Sequence, residues 1–367
     1  MGHAAKRIWS WTWRLLLGAF ILVLLLPVMV PPFLDRVYYR GPVSTHFDGQ
    51  RFFNPDGEQG AGGLQKRSLA SIWLRLRRMD ERAPWPAHVA TPAGRPGRPT
   101  DPTKMVVTWI GHSTVLVQAG GINILTDPIY ADKAGPWGLV GPRRVRAPGI
   151  AFDALPHIDL VLVSHNHWDH MDLPTIKRLW DRDHSLIVTS LGNDTLIRNA
   201  GAQAVARDWG GRVHVRPGID VIVERVHHWD SRWMKDRNRA LWSGFAVTLP
   251  GGNLFFAGDT GPGDGSWPVE DAKDGPYRLA LIPIGAFQPR DIMSGNHIGP
   301  VEAVDAFQKL HAARALAVHW GTFKLSAEAI NDPPALLRRT LGGRNIPADR
   351  FRAMEVGVNW DVPPPSH

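Results

Sequence analysis

The chain has 367 residues, 44% of them hydrophobic, no cysteine, and 42 Lys plus Arg against 34 Asp plus Glu, for a net charge of +8 and an isoelectric point near 10.0. That hydrophobic share suits one large or two modest packed domains and excludes a wholly disordered chain. Without cysteine there are no disulfides, thiolate metal sites or cysteine nucleophile, so any metal must be held by histidine and carboxylate, and the basic balance suits anionic partners without choosing among lipid, nucleic acid and phosphorylated substrates.

In chain order, the first predicted element is apolar. LLLGAFILVLLLPVMVPPFL, Leu15 to Leu34, runs 20 residues without a charge, about the length that crosses a bilayer core as a helix. Lys6, Arg7 and Arg14 precede it, and Trp9, Trp11 and Trp13 stand where an interfacial aromatic belt would lie. A cleaved signal peptide is the competing reading, but the run ends in PVMVPPFLD with no small-x-small cleavage site. The expectation is a retained single-pass transmembrane anchor over residues 1–35, in an inner membrane of bacterial type. Lys and Arg flank the span equally, three before and three after (Arg36, Arg40, Arg51). The basic-then-apolar order places the remaining chain on the extracytoplasmic, periplasmic side.

Residues 36–103 form a basic extension rich in Gly, Pro and Arg, with turn-rich NPDGEQGAGG and TPAGRPGRPTDP. Between them, LQKRSLASIWLRLRRMDER sets Leu69, Ile72, Trp73, Leu76 and Met79 at helical spacing, while Lys66, Arg67, Arg75, Arg78 and Arg82 fill much of the rest. This basic amphipathic helix suits either an anionic membrane surface or the face of the domain that follows.

Residues 104–367 read as an α/β layered domain. MVVTWIG, TVLVQ and INILTD are successive strands, and IDLVLVS is a continuous apolar run of the buried kind. Helix DLPTIKRLW, strand HSLIVTS and helix NDTLIRNA follow, then strands at DVIVERV, LWSGFAVTL, NLFFAGD, YRLALIPIG and ARALAVHW. Helices fill GPVEAVDAFQKLHA, with Pro300 early and Val301, Val304, Phe307 and Leu310 on one face, and SAEAINDPPALLRRTL.

The chemistry begins where IDLVLV runs into SHNHWDH. His165 and His167, two apart on extended backbone, can point the same way. A turn at Trp168 then sends Asp169 and His170 toward a second position, so one loop can begin two neighbouring metal sites. Each site needs more donors, and three other strand ends offer them: His227 and His228 in ERVHHWD, Asp259 in NLFFAGDTG, and His319 in ARALAVHWGTF. Imidazole and carboxylate without thiolate suit zinc, with manganese and iron as alternatives.

SHNHWDH resembles the HxHxDH signature of the metallo-β-lactamase-fold hydrolases. WIGHSTVLVQ, ILTDPIY, GPRRVRAPG, SHNHWDHMD, HHWDSR, FAGDTG, IPIGAFQPR and AVHWGTF resemble one branch, the N-acyl-phosphatidylethanolamine-hydrolysing phospholipases D and their bacterial relatives. These strings cover about Lys104 to Leu325, and HFDGQRFFNP resembles the branch's N-terminal segment. The resemblance implies a four-layer αβ/βα sandwich. It also implies two zinc ions, one held by His165, His167 and His228, the other by Asp169, His170 and His319, with Asp259 bridging. Asp169, Asp259 and His297 would serve catalysis, and Asn296 and His297 would lie near the scissile phosphate. Independently of the resemblance, the basic cluster Arg143, Arg144 and Arg146 in GPRRVRAPG suits either attraction of a lipid phosphate or a solvated loop. His112 is a candidate for contact with a metal ligand.

Two metals about 3.5 to 4 Å apart can share a water, lower its pKa and direct the hydroxide at phosphorus or a carbonyl carbon. The expected activity is therefore that of a membrane-anchored zinc phosphodiesterase of the phospholipase D type, acting on a phospholipid or other phosphodiester. The alternatives are a lactonase or another ester or phosphodiester hydrolase, a nuclease among them, on the same scaffold. No separate nucleic-acid-binding module accompanies the domain, so nucleic acid is not an expected partner. A non-catalytic metal-binding membrane protein is the reading from another class, and a structural zinc site would need only four ligands.

Overall fold

The computed structural model describes residues 3–29, 35–57, 83–99, 101–233 and 235–365. The first sheet contains β1 (Met105–Gly111), β2 (Thr114–Ala119), β3 (Ile122–Thr126), β4 (Leu160–Val163), β5 (Leu186–Ser190) and β6 (Val205–Arg207), neighbours in chain order. The second runs through β7 (Arg212–Arg216), β8 (Ile219–Glu224), β9 (Gly244–Val247), β10 (Asn253–Phe256), β11 (Tyr277–Pro283), β12 (Arg314–Val318) and β13 (Phe351–Arg352). β14 (Asn359–Asp361) returns to the free edge of β1. Both sheets carry the same pattern, three antiparallel pairings followed by three parallel ones, counted from β14 in the first and β7 in the second.

Alternation along the strands builds the layers. Leu160 and Leu162 of β4 face a core shared with Val107 and Val117 of the first sheet and Phe245, Phe256 and Leu281 of the second. Val161 and Val163 turn the other way, against Leu179 of helix α2 (Leu173–Asp183) and Leu196 of α3 (Asn193–Asn199). This is why β4 reads as an unbroken apolar run: it is buried on both faces. Leu162 has no exposed surface, and its truncation to Ala would cost about 2–5 kcal/mol. Short helices α4 (Trp267–Asp271) and α5 (Arg290–Met293) lie in the loops of the second half. Helices α6 (Pro300–Lys309) and α7 (Asp332–Gly343) contribute Val304, Phe307, Leu337 and Leu341 to the core on the second sheet's side. The result is the helix–sheet–sheet–helix sandwich that the resemblance implied.

One expectation is overturned. Helix α1 spans His3–Met29, and its last charged residue is Arg14. The uncharged part, Leu15 to Met29, is about 22 Å long at 1.5 Å per residue, short of a hydrocarbon core of about 30 Å. Among the described residues no helix is long and apolar enough to cross a membrane, so the transmembrane anchor is withdrawn. Positions 30–34 of the apolar run lie outside the described residues, as does the basic amphipathic helix expected at 64–82.

Candidate metal centre

All the candidate ligands leave the sheets at strand ends. At the end of β3, the carboxylate of Asp127 accepts hydrogen bonds from the backbone N–H of Ser164 (2.7 Å) and its hydroxyl (2.6 Å), fixing where the histidine loop begins. The loop turns back when the N–H groups of His170 and Met171 donate to the carbonyl of His167 (3.1 and 2.9 Å). Arg232 then holds both shoulders. Its Nη1 donates to the carbonyls of Asn166 (2.8 Å) and Met171 (3.0 Å), and its guanidinium lies 3.6 Å over the ring of Trp168. Asp172 closes the segment by capping α2 through Thr175 while also accepting from the N–H groups of Tyr130 and Ala131.

The remaining loops approach closely. Gly258 has φ +61°, and a Cβ there would lie 2.6 Å from that of Ser164, so only glycine lets the end of β10 bring Asp259 in. His112 (φ +53°), Asp127 (φ +30°) and His319 (φ +60°) hold left-handed backbone without being glycine. The N–H of His319 donates to the carbonyl of His112 (3.0 Å), tying two of these turns together. Such conformations cost about 1–3 kcal/mol each and concentrate at functional sites.

The side chains converge in two sets. In the first, His165 Nε2 lies 2.8 Å from His167 Nδ1, which lies 3.3 Å from His228 Nε2. In the second, His170 Nε2 is 3.4 Å from Asp169 Oδ2 and His319 Nε2 is 3.5 Å from it. Asp259 Oδ2 is 3.1 Å from both His170 Nε2 and His319 Nε2, and 3.9 Å from His228 Nε2, so one carboxylate touches both sets. A tetrahedral ion about 2.0–2.1 Å from each donor keeps its ligands roughly 3.3 Å apart. The residues present therefore fit a metal, as do buried atoms without hydrogen-bond partners: His170 Nε2, His319 Nε2 and Asp259 Oδ1.

A layer of acceptors aims the rings. His170 Nδ1 donates to Asp127 Oδ2 (2.7 Å) and His228 Nδ1 to the carbonyl of Asn296 (2.9 Å), while His165 Nδ1 pairs with Ser164 Oγ (2.8 Å). Each bond leaves Nε2 pointing into the cluster, the arrangement by which second partners orient metal-binding histidines. His112 Nε2 donates to Asp169 Oδ2 (2.9 Å), a candidate metal ligand. His227 is turned away and pairs with Asp56 (2.8 Å), which separates the two histidines of ERVHHWD.

Charge divides the sets as well. Burial holds His165 and His228 well below the imidazole range and pushes His167 down to about 3, so the first set is neutral with free lone pairs. In the second, burial opposes the charged imidazolium, but the surrounding carboxylates, Asp259 and Asp169 first among them, together outweigh it and raise His170 well above its ordinary value and His319 to about 9. Burial likewise opposes charge on Asp169 and Asp259, yet His170 and His319, with His112 beside Asp169, together keep both carboxyls well below the usual range. These imidazolium protons supply positive charge where a divalent cation would replace them.

His297 stands at the mouth, its Nδ1 3.8 Å from Asp259 Oδ2 and its side chain 15% exposed. Burial pushes it down to about 4. Asn296 reaches the site through its backbone carbonyl on His228. Arg143 is exposed, whereas Arg144 turns inward and spends Nε and Nη2 on the carbonyls of Ala131 and Ile129. Asp127, Arg232 and Asn54, whose amide donates to the carbonyl of His228 (2.9 Å), escaped the sequence reading. For Asp127 a signal was present: a carboxylate directly after an apolar strand, as at Asp259.

Residues 122–320 match a family described as the β-lactamase superfamily domain. The chain is 34% identical over 270 residues to N-acyl-phosphatidylethanolamine-hydrolyzing phospholipase D 1 of Caenorhabditis elegans, covering 70% of this chain and 76% of that one. It is 32% identical over 232 residues to the mitochondrial N-acyl-phosphatidylethanolamine-hydrolyzing phospholipase D of Saccharomyces cerevisiae, covering 62% of this chain and 49% of that protein's length. Among solved structures, the isothiocyanate hydrolase from Delia radicum gut bacteria superposes with a TM-score of 0.57 at 20% identity, over 70% of this chain and 98% of its own, and shares the fold.

Proposed function

The chain belongs to the metallo-β-lactamase-fold superfamily of metal-dependent hydrolases, and from that premise we propose that it is a dinuclear zinc phosphodiesterase acting on phospholipids of the N-acyl-phosphatidylethanolamine class. The observation that carries the two-metal reading is the position of Asp259, whose Oδ2 lies within 3.1 Å of the second set's imidazoles and 3.9 Å from His228 of the first. His165, His167 and His228 would hold one ion, Asp169, His170 and His319 the other, and Asp259 both. An all-nitrogen and oxygen donor set at tetrahedral spacing suits zinc.

When bound, such ions polarise a substrate oxygen and acidify water. The chain's own residues supply the rest. His112 holds Asp169 by a 2.9 Å hydrogen bond, and Asp127 keeps the His170 proton on Nδ1. His297, pushed down to about 4, is neutral near pH 7. It therefore offers a phosphoryl oxygen an N–H donor rather than a charge, from a position at the rim of the cluster.

The substrate class is supported by the worm and yeast relatives, both named for hydrolysis of N-acyl-phosphatidylethanolamine. A metal-replete panel of N-acyl-phosphatidylethanolamine, phosphatidylethanolamine, a soluble phosphodiester and a lactone tests the reading. Turnover of the N-acylated lipid, with release of the N-acylethanolamine, is expected. Activity confined to the lactone would refute it.

A further inference from the structure

We infer that Asp56 is a positioning residue of the metal centre, holding the loop that carries His228 at a fixed distance from the loop that carries Asp259. The sequence places residues 36–103 ahead of the α/β domain, yet Phe47 and Phe52 are buried in the core shared by the two sheets. Phe52 also exchanges hydrogen bonds with Asn238. Its N–H donates to the Asn238 carbonyl (2.8 Å), and its own carbonyl accepts from the Asn238 amide (3.0 Å). The segment is therefore seated against the loop after β8 before the chain reaches Asn54 and Asp56.

Asp56 joins three points. Its Oδ2 accepts from His227 Nδ1 (2.8 Å) and from the Asp264 N–H (3.0 Å), and its Oδ1 pairs with Arg225 (2.9 Å). His227 directly precedes His228, and Asp264 belongs to the loop that Asp259 begins. Between these points the two backbones are laced: the His227 N–H donates to Thr260 Oγ1 (3.1 Å), and the His227 carbonyl accepts from the Gly261 N–H (2.6 Å). Gly263, at φ +54°, admits the carboxylate, since a Cβ there would overlap Asp56 Oδ2 and lie 2.9 Å from His227 Nδ1. Asn54 adds a second hold through its amide on the His228 carbonyl (2.9 Å). With its side chain 3% exposed, Asp56 has little solvent to replace these partners. An ion pair that served stability alone could lie anywhere in the fold, whereas these contacts end on the neighbours of two candidate ligands. Groups that aim metal ligands in this way are worth roughly 10–100-fold in metal affinity. Asp169, His170 and His319 come from other loops, so the effect falls on the set that contains His228. The inference rests on the two-metal reading above and is independent of the substrate.

Two substitutions in the full-length chain separate positioning from simple ion pairing. Asp56→Ala removes every contact. Asp56→Asn keeps one oxygen for His227 and Asp264 and gives up only the charge facing Arg225. Zinc affinity is measured for each equivalent by competition against a chromogenic chelator, and the visible absorption of the cobalt(II)-loaded chain reports ligand geometry. Asp56→Ala should weaken the equivalent that His228→Gln removes by about tenfold or more, leave the other within threefold, and change the cobalt spectrum. Asp56→Asn should stay within threefold of the parent on both equivalents and keep its spectrum. Parent-like affinity and spectrum in Asp56→Ala, equal weakening of both equivalents, or a loss in Asp56→Asn as large as in Asp56→Ala overturns the inference. If Asp56→Ala fails to fold by circular dichroism, Asn54→Ala, which removes only the amide on the His228 carbonyl, decides by the same affinity and spectral criteria. A parent that holds a single equivalent refutes the two-metal reading. The inference is then decided on that equivalent: tenfold weakening in Asp56→Ala with recovery in Asp56→Asn supports it, and unchanged binding overturns it.

Discussion

Asp127→Asn separates the carboxylate's charge from its size. The Asp127 side chain is fully buried and accepts three hydrogen bonds, from Ser164 N–H (2.7 Å), Ser164 Oγ (2.6 Å) and His170 Nδ1 (2.7 Å). An amide of the same shape has one oxygen. If that oxygen stays on the Ser164 N–H, the amide nitrogen faces His170 Nδ1, donor against donor. The imidazole relieves the clash by moving its proton to Nε2, the nitrogen 3.1 Å from Asp259 that would bind metal. Loss of such a second partner costs roughly 10–100-fold in metal affinity, about 1.4–2.7 kcal/mol. The metal-free chain also loses a charge-assisted hydrogen bond worth about 1.5–3 kcal/mol. Competition against a chromogenic chelator measures the first effect and thermal unfolding of the metal-free chain the second. The expected result is at least a tenfold weaker second metal equivalent and a lower Tm. A folded variant that binds both equivalents within twofold of the parent would refute the reasoning.

Three further outcomes follow from the geometry. Burial and the nearby Asp274 carboxylate push Glu224 up to about 8 from an ordinary value of 4.5. The folded chain thus binds an extra proton between those values, and stability falls as pH rises through that window. Glu224→Gln should leave Tm nearly unchanged at pH 4.5 and raise it at pH 8, and a Tm–pH slope identical to the parent's would contradict this. His228→Gln should remove a metal equivalent, whereas His227→Gln should keep both and lower stability through the lost Asp56 contact; metal analysis of the pair, with the reverse pattern, would exchange the two roles. Arg232→Lys cannot satisfy two carbonyls and stack flat on Trp168 at once. It should raise the rate of metal loss to a chelator severalfold, and unchanged release would make the guanidinium clamp incidental.

Most of the sandwich was legible because its strands are long and buried. MVVTWIG coincides with β1 and NDTLIRNA nearly with α3. The strands not foreseen, β6, β7, β13 and β14, are the edges of the two sheets, and the short loop helices α4 and α5 escaped as well. β7 reads RVHVR, with arginine and histidine on exposed positions, and β13 and β14 are only two and three residues long, too short for a period of two to register. Helix α7 starts at Asp332 rather than at Ser326, where two prolines fit its first turn and the preceding residues form turns. The candidate ligands that the structure brings together were legible for a related reason: each follows an apolar strand. Asn54 was not, since its contact with His228 joins residues 174 apart in the chain. Arg144 shows the opposite failure. An arginine-rich string suggests a surface, yet burial pushes this guanidinium down to about 10 and its donors serve backbone carbonyls. The anchor failed because, among the described residues, no helix is long and apolar enough to cross a membrane.

The account turns on Asp259 serving two metals at once. Metal stoichiometry by mass spectrometry, on the full-length chain and on Asp259→Asn after equilibration with limiting zinc, addresses this most directly. The prediction is two equivalents for the parent and at most one for the variant, with the fold retained by circular dichroism. A parent chain that binds a single equivalent, or a variant that still holds two, would contradict it.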